Sequence, residues 1–334
     1  MKKHKICKIL LVILAIFLCV AFYELLGICV AYKKQPEVSN TTKKETKNGS
    51  WNECSENTER AVIIEKNPEA LLQRVRLIKN AKKEIILSTF AFQSDESGKL
   101  ILGALHDAAD RGVHIRLLVD GMESWIDMEG NPYFYGLSSH ENVEIKLYNK
   151  ANPLKPWKMM GRMHDKYLIA DGKRYILGGR NTYNYFLGDF PGHKNYDRDV
   201  LVVCDEPEKE NSVNQLLEYF ETIWEQEDSD YFHDNKKLAN RKSVKNAVLE
   251  LQNGYQKYFE ENKERICDTD YTDETFETEK IALVSNPIHT GSKEPVVWYQ
   301  LGELMKNAKN RVKIHTPYII CNDMMYNTWE EIAE

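Results

Sequence analysis

No two of the seven cysteines in this 334-residue chain are spaced as C-x-x-C, and none pairs with histidine at a zinc-finger spacing. An odd, scattered set of this kind indicates neither a zinc site nor a disulfide framework. Three of them, Cys7, Cys19 and Cys29, lie in one apolar run, and Cys54, Cys204, Cys267 and Cys321 are far apart. Positive charge is also scarce: 45 Lys and Arg against 51 Asp and Glu leave a formal charge of −6. Phosphate-backbone binding calls for a basic face, so nucleic acid is not expected as a partner. Nor does a small-x-small cleavage site follow the apolar run, as a secretory signal would require.

That run is the first positive feature. After MKKHKICK comes ILLVILAIFLCVAFYELLGICVAY, with Glu24 as its only charged residue. It is long enough to cross the roughly 30 Å hydrocarbon layer as a helix. Residues 1–32 are therefore expected to be an uncleaved, single-pass anchor in the cell membrane. Lysines flank both ends (Lys2, Lys3, Lys5, Lys8; Lys33, Lys34, Lys43, Lys44), so charge asymmetry does not set its orientation. Residues 33–60 are polar and aperiodic and read as a flexible tether.

Order is expected from about Ala61. AVIIE reads as a strand, and NPEALLQRVRLIKNA as a helix with Asn67 at the N-cap and Pro68 at the first helical position. EIILSTFAF is a buried strand, GKLILGALHDAADRG a helix closed by Gly112, and VHIRLLVD a further strand. NVEIKLYN, KYLIA, RYILGG and DVLVVC add strands before the helix SVNQLLEYFETIWEQ. Alternation of this kind predicts an α/β layered domain over residues 61–230. A lysine-rich, helix-prone stretch and an acidic loop, residues 231–280, read as a connector.

Beyond the connector the sequence repeats itself. Lys79-Asn80-Ala81-Lys82 recurs as Lys306-Asn307-Ala308-Lys309, an offset of 227, each at a helix end followed by a strand-like run. IALVSNP likewise echoes AVIIEKNP. Residues 281–334 are thus expected to begin a second copy of the domain, with Arg311–Ile319 as the counterpart of the strand Glu84–Phe92.

The chemistry concentrates in GRMHDKYLIADGKRYILGGRN, Gly161 to Asn181. HDKYLIAD and KRYILGG are strand-like and joined by Asp171-Gly172, a two-residue hairpin signal. Residues two apart on a strand share a face, which places His164 and Lys166 with Leu168 and Ala170, and Asp165, Tyr167 and Ile169 opposite. Taken alone, an H-x-K at a wet strand end needs no function, and Asp171 is better explained as a turn residue. With Gly178-Gly179 allowing close backbone approach and Asn181 following, an imidazole, a cation and an amide converge into a cradle suited to a phosphodiester.

His164-x-Lys166-x4-Asp171, followed by Gly178-Gly179-Arg180-Asn181, resembles the HKD motif of the phospholipase D superfamily. The flanks FQSDESGKLILGALHDAADRGVHIRLLVDG and NYDRDVLVVC resemble its bacterial cardiolipin synthase branch. The resemblance implies a duplicated α/β/α sandwich with a mixed sheet and a site where two such motifs meet. One histidine attacks phosphorus to form phosphohistidine. The other protonates the leaving alkoxide and then deprotonates the acceptor alcohol or water. It implies catalytic roles for His164, Lys166, Asp171 and Asn181, and an acidic residue on the imidazole, Asp197 in preference to Asp199. No cofactor or metal is implied. The expected partners are a phospholipid such as phosphatidylglycerol, the membrane, and a second phospholipase D-like half in cis or in trans.

The chain departs from that pattern in one respect. It has a single H-x-K, and at the repeat offset the partner of His164 would fall near position 391, beyond Glu334. His315 aligns with Ser88, and His289 has no lysine two residues on, so neither replaces it. The expectation is a phosphatidyltransferase of the cardiolipin synthase type, C-terminally truncated and impaired as it stands. Two alternatives are a dimeric single-motif phosphodiesterase or nuclease, and a non-catalytic remnant.

Overall fold

A computed structural model describes residues 2–49, 59–204, 206, 211–233, 235–316 and 318–333. The apolar run forms one helix, α1 (Lys2–Tyr32), of which Lys5–Tyr32 is long and apolar enough to cross a membrane. The expected tether contains a helix of its own, α2 (Asn40–Asn48). Its ends carry local stop and start chemistry that the polar composition concealed. Ser39 caps it by accepting from the Thr42 N–H, and Gly49 closes it in the left-handed region. Residues 50–58, including Cys54, lie outside the described residues.

From residue 60 the chain alternates as its apolar spacing predicts. β1 (Arg60–Ile64), α3 (Asn67–Asn80) and β2 (Glu84–Thr89) come first, then α4 (Glu96–Asp110) and β3 (His114–Asp120). Two short helices follow, α5 (Gly121–Asp127) and α6 (Pro132–Ser138), before β4 (Val143–Tyr148). The hairpin is β5 (Tyr167–Ala170) and β6 (Arg174–Gly178), followed by β7 (Asp199–Val203), α7 (Ser212–Trp224) and β8 (Ser229–Tyr231). α8 (Lys242–Glu261), α9 (Lys263–Cys267) and β9 (Phe276–Glu277) complete the layers.

The sheet order is β8-β4-β3-β2-β5-β6-β7-β1-β9. β2, β3 and β4 run parallel, and β5 joins β2 antiparallel, so the sheet is mixed. Alternation along the strands feeds two cores. Leu87, Leu117, Leu168 and Leu201 pack with residues of α3, α4, α6 and α8 on one face. Ile86, Leu118, Tyr167, Ile169 and Val202 pack with α7 on the other. On α7 the buried positions Val213, Leu216, Phe220 and Ile223 fall three or four apart, a single apolar stripe. The expected α/β/α sandwich with a mixed sheet is the observed architecture.

Three local expectations need correction. Asn67 does not cap α3; its side chain instead accepts from Arg180 Nε (3.1 Å) and donates to the Asn195 carbonyl (2.9 Å). The hairpin ladder pairs Ala170 with Arg174, so Lys173 is an extra residue in the turn. The positive φ values at Asp171 and Gly172 nevertheless match the primed turn foreseen. Residues 242–261 are part of the sandwich, because Val244, Ala247, Leu251, Tyr255 and Phe259 form a buried stripe on α8. The exposed lysines had masked that stripe. Gly103 on α4 permits the contact, since a Cβ there would press on the Leu251 carbonyl and Tyr255.

The last part of the chain forms α10 (Val296–Lys306) and α11 (Asp323–Ala333), with Trp298 and Trp329 in edge contact at 5.5 Å. At the offset of 227, α3 falls on Glu294–Asn307, nearly the span of α10, and Pro68, Gln73 and Leu77 recur as Pro295, Gln300 and Leu304. The described residues of 311–319, which exclude Pro317, form no strand and are mostly exposed. A helix closes its hydrogen bonds within itself, whereas a strand needs a neighbour. Among the described residues, this segment pairs with no strand of the sheet.

Asp199 lies fully buried at the start of β7, with Arg74 Nη1 at 2.9 Å and Arg180 Nη1 at 3.2 Å. Removing one partner of such a group typically costs about 3–5 kcal/mol, because charge is left buried without compensation. Asp199→Ala should lower the unfolding free energy of the full chain by that order in denaturant titration. A loss under about 1 kcal/mol, the scale of an exposed pair, would show that the two arginines do not depend on it.

Candidate active site

β5 begins at Tyr167, so His164 and Lys166 stand just ahead of the ladder, where the side chains are no longer fixed by pairing. Asp120, at the end of β3 and fully buried, holds this segment. Its carboxylate accepts from the Met163 N–H (3.0 Å) and Arg162 Nη1 (3.1 Å), and from Met122 N–H (2.9 Å) at the start of α5. Asn149, in the left-handed region at φ 51°, donates to the carbonyls of Lys158 (2.7 Å) and Gly161 (2.8 Å). The chain therefore enters the motif already oriented.

His164 and Lys166 both lie against Phe90. The His164 ring lies 4.6 Å from the Phe90 ring, and Lys166 Nζ lies 5.3 Å from the same centroid. That distance is within cation–π range. Lys166 Nζ also donates to the His164 carbonyl at 2.7 Å. Asn181 is brought to the neighbouring residue, its Oδ1 accepting from the Ala91 N–H at 3.2 Å. Phe90, just beyond β2, thus touches the first two, and its neighbour Ala91 touches the third. Phe90 was not foreseen, since a phenylalanine in an apolar run carries no sign of its neighbours.

Lys166 is buried and His164 is exposed on one side, and desolvation shifts both toward their neutral forms. The His164 imidazole is held below the usual histidine range, first by burial and then by the Lys166 charge. Burial brings Lys166 down to about 8, although Asp165, Asp197 and Asp120 oppose the shift. A neutral imidazole with a free lone pair is the nucleophilic form. A lysine that protonates more readily beside an anion is suited to a phosphoryl oxygen.

The acidic residues take different places from those expected. Asp171 sits at the far end of β5 and serves the turn: its carboxylate accepts from the N–H groups of Lys82 (2.9 Å), Lys83 (2.7 Å) and Glu84 (3.0 Å). At about 3.3 Å per residue it cannot reach chemistry at His164. Asp199 is committed to Arg74 and Arg180. Asp197 lies against Gly179, where a Cβ would collide with its carboxylate, and within electrostatic reach of Lys166. Among the described residues, neither Asp197 nor Asp199 hydrogen-bonds the His164 ring. Asp165, which sequence reasoning passed over, accepts from Tyr219 Oη at 2.7 Å, and burial pushes its carboxyl up.

A cavity of about 400 Å³ adjoins the motif, lined among others by His164, Asp165, Lys166, Tyr219, Leu283 and Lys293. Its outer wall comes from the second part of the chain, tied down where Gln215 Oε1 accepts from the Leu283 N–H (2.7 Å) and Gln226 Nε2 donates to the Ile288 carbonyl (2.9 Å). No cluster of three or more His, Cys, Asp or Glu among the described residues is arranged to hold a metal ion.

Residues 74–224, which contain Phe90, Asp120, the stretch from His164 to Asn181, Asp197, Asp199 and Tyr219, match the family described as cardiolipin synthase, PLD-like domain. That stretch is a phospholipase D-like domain. The chain is 29% identical over 171 residues to cardiolipin synthase C of Escherichia coli K12, covering 47% of this chain and 34% of that protein. It is 30% identical over 212 residues to an uncharacterised Helicobacter pylori J99 protein, covering 59% of this chain and 39% of that one. The chain thus spans well under two thirds of either relative. Among solved structures, phosphatidylserine synthase of Haemophilus influenzae Rd KW20 is 15% identical with a TM-score of 0.46, covering 74% of this chain and 52% of that one.

Two outcomes follow for the phospholipase D-like site. Folding lowers the Lys166 pKa, so the charged lysine is disfavoured in the fold. That penalty is full below about pH 8 and fades as pH rises toward the ordinary lysine value, where the unfolded chain also loses its proton. Amine titration by NMR should place Lys166 near pH 8 in the free protein and higher with inorganic phosphate bound; a free value above 10 would contradict this assignment. Asp171→Ala should destabilise the chain by about 0.5–1.5 kcal/mol, because water can replace the carboxylate at these mostly exposed N–H groups, while phosphate affinity stays unchanged. Lost phosphate binding in a folded Asp171→Ala protein would return that residue to the site.

Proposed function

We propose that the chain is a membrane-anchored phosphatidyltransferase of the cardiolipin synthase kind, acting on a phospholipid phosphodiester through phosphohistidine. The observation that carries the reading is the pairing of His164 and Lys166 on the Phe90 ring, the imidazole held toward its neutral form and the ammonium beside it. A nitrogen of His164 attacks phosphorus, the P–N bond forms and the bond to the leaving alkoxide breaks. Lys166 and the Asn181 amide stabilise charge on the phosphoryl oxygens. The alkoxide takes a proton from a general acid; an acceptor hydroxyl then returns a proton to that same group as its oxygen attacks phosphorus, the P–O bond forms, the P–N bond breaks and the free histidine is restored. Division into two displacements lowers each barrier.

The acid is assigned to a second phospholipase D-like half, in cis or in trans, because the 334 residues contain one H-x-K. The recurrence of α3 as α10, with Pro68, Gln73 and Leu77 repeated, supports descent from a duplicated unit. α1 supports attachment to the membrane, where a two-tailed lipid substrate resides.

Cardiolipin formation from phosphatidylglycerol in vesicles tests the reading. The full chain alone should turn over slowly, since loss of a positioned acid costs about a hundred- to ten-thousandfold. A supplied second half should restore the rate, and His164→Ala should abolish it. Unaided rapid turnover would refute the need for a second half. Turnover surviving His164→Ala would refute the phosphohistidine.

A further inference from the structure

Five large apolar side chains stand in water at one end of the sheet, next to the site. On α5, Trp125 and Ile126 are each 69% exposed; on the loop 150–160, Leu154 is 77%, Trp157 45% and Met160 57% exposed. The two pieces are neighbours, since a Cβ on Gly121, the first residue of α5, would press on the backbone of Tyr148 and Lys150. They also share a joint with the site. Asp120 binds the start of α5 through Met122 and the approach to His164 through Arg162 and Met163.

We infer that α5 and the loop 150–160 form a docking surface that seats in the interfacial layer of a phospholipid bilayer, which presents lipid to His164. The inference rests on the membrane-anchor reading of α1. The loop is in contact with that helix: Tyr23 Oη donates to the Leu154 carbonyl at 3.0 Å, and Gly27 lets Pro156 pack directly on the helix backbone. The span Lys5–Tyr32 has 28 residues, about 42 Å at 1.5 Å per residue. That exceeds the roughly 30 Å hydrocarbon layer by about 12 Å, enough to bring the turns around Tyr23 and Gly27 toward the headgroups. Glu24 is the one charged residue of the apolar run, and a carboxylate is costly in hydrocarbon, which favours placing this turn toward the interface. Its two oxygens are buried against the protein with no hydrogen-bond partner among the described residues. Whatever packs beside Tyr23 then lies at the same depth. Tryptophan with leucine, methionine and an exposed lysine, Lys155, is the composition that interfacial layers favour. A lone soluble domain would leave such a surface wet.

The test uses the full chain reconstituted in vesicles whose lipids carry bromine near the headgroup or deep in the acyl chain. The two tryptophans are exposed, so Trp125→Phe and Trp157→Phe do not threaten the fold. Tryptophan fluorescence should be quenched by the shallow label, and the doubly substituted protein should lose most of that quenching. Alkaline carbonate extraction of the same vesicles reports on α1 separately. A chain that resists extraction but whose shallow quenching is unchanged by the two substitutions would overturn the docking surface and leave the anchor standing. A chain released by carbonate would overturn the anchor and, with it, this inference.

Discussion

A carboxylate buried between two guanidinium groups organises the phospholipase D-like domain. Asp199 begins β7, Arg74 comes from α3, and Arg180 lies between the end of β6 and Asn181. Desolvating a carboxylate costs several kcal/mol and is offset only where opposite charge and good geometry are supplied. Here the compensation ties three separate stretches of chain together. Arg180 extends the tie further by donating to the carbonyls of Ile64 and Glu65 and to Asn67. Gly178 has no side chain because Asp199 occupies the space one would need. The amide of Asn181 is therefore placed by a core ion cluster, one residue away from the site.

Asp120 plays the corresponding part on the other side of the motif. One carboxylate receives α5, Arg162 and the Met163 N–H, and so connects the apolar surface to the approach to His164. His164 and Lys166 are left outside the β5 ladder and lie against Phe90, at the end of the strand. Partial burial there lowers the proton affinity of both His164 and Lys166. One environment thus shifts both groups toward their neutral forms.

The contrast between α10 and the residues that follow it is instructive. α10 keeps the proline and the apolar positions of α3 and folds as a helix, its hydrogen bonds being local. Arg311–Ile319 repeats the pattern of β2 without becoming a strand among its described residues, because a strand takes its stability from neighbours. In the first domain β2 has β3 and β5 on its two sides.

By itself the sequence determined the layers and the strands β1 to β7. Apolar periodicity separates α7 from β5, and a period of two predicts His164 with Lys166 on one face before any coordinates are known. Asp171-Gly172 specifies a left-handed turn by its residue types alone. These are local properties, encoded within a few consecutive residues. Only the tertiary structure decided what each acidic residue does. Asp197, Asp199, Asp120, Asp165 and Asp171 are the same side chain in the sequence, and they are separated by partners distant along it: Gly179, Arg74, Arg162, Tyr219 and the backbone of Lys82 to Glu84. The role of Phe90 and the place of α8 in the sandwich were hidden for the same reason. Burial and electrostatic partnership are set by which remote segments the fold brings together, and a linear pattern carries that information only after the chain has closed.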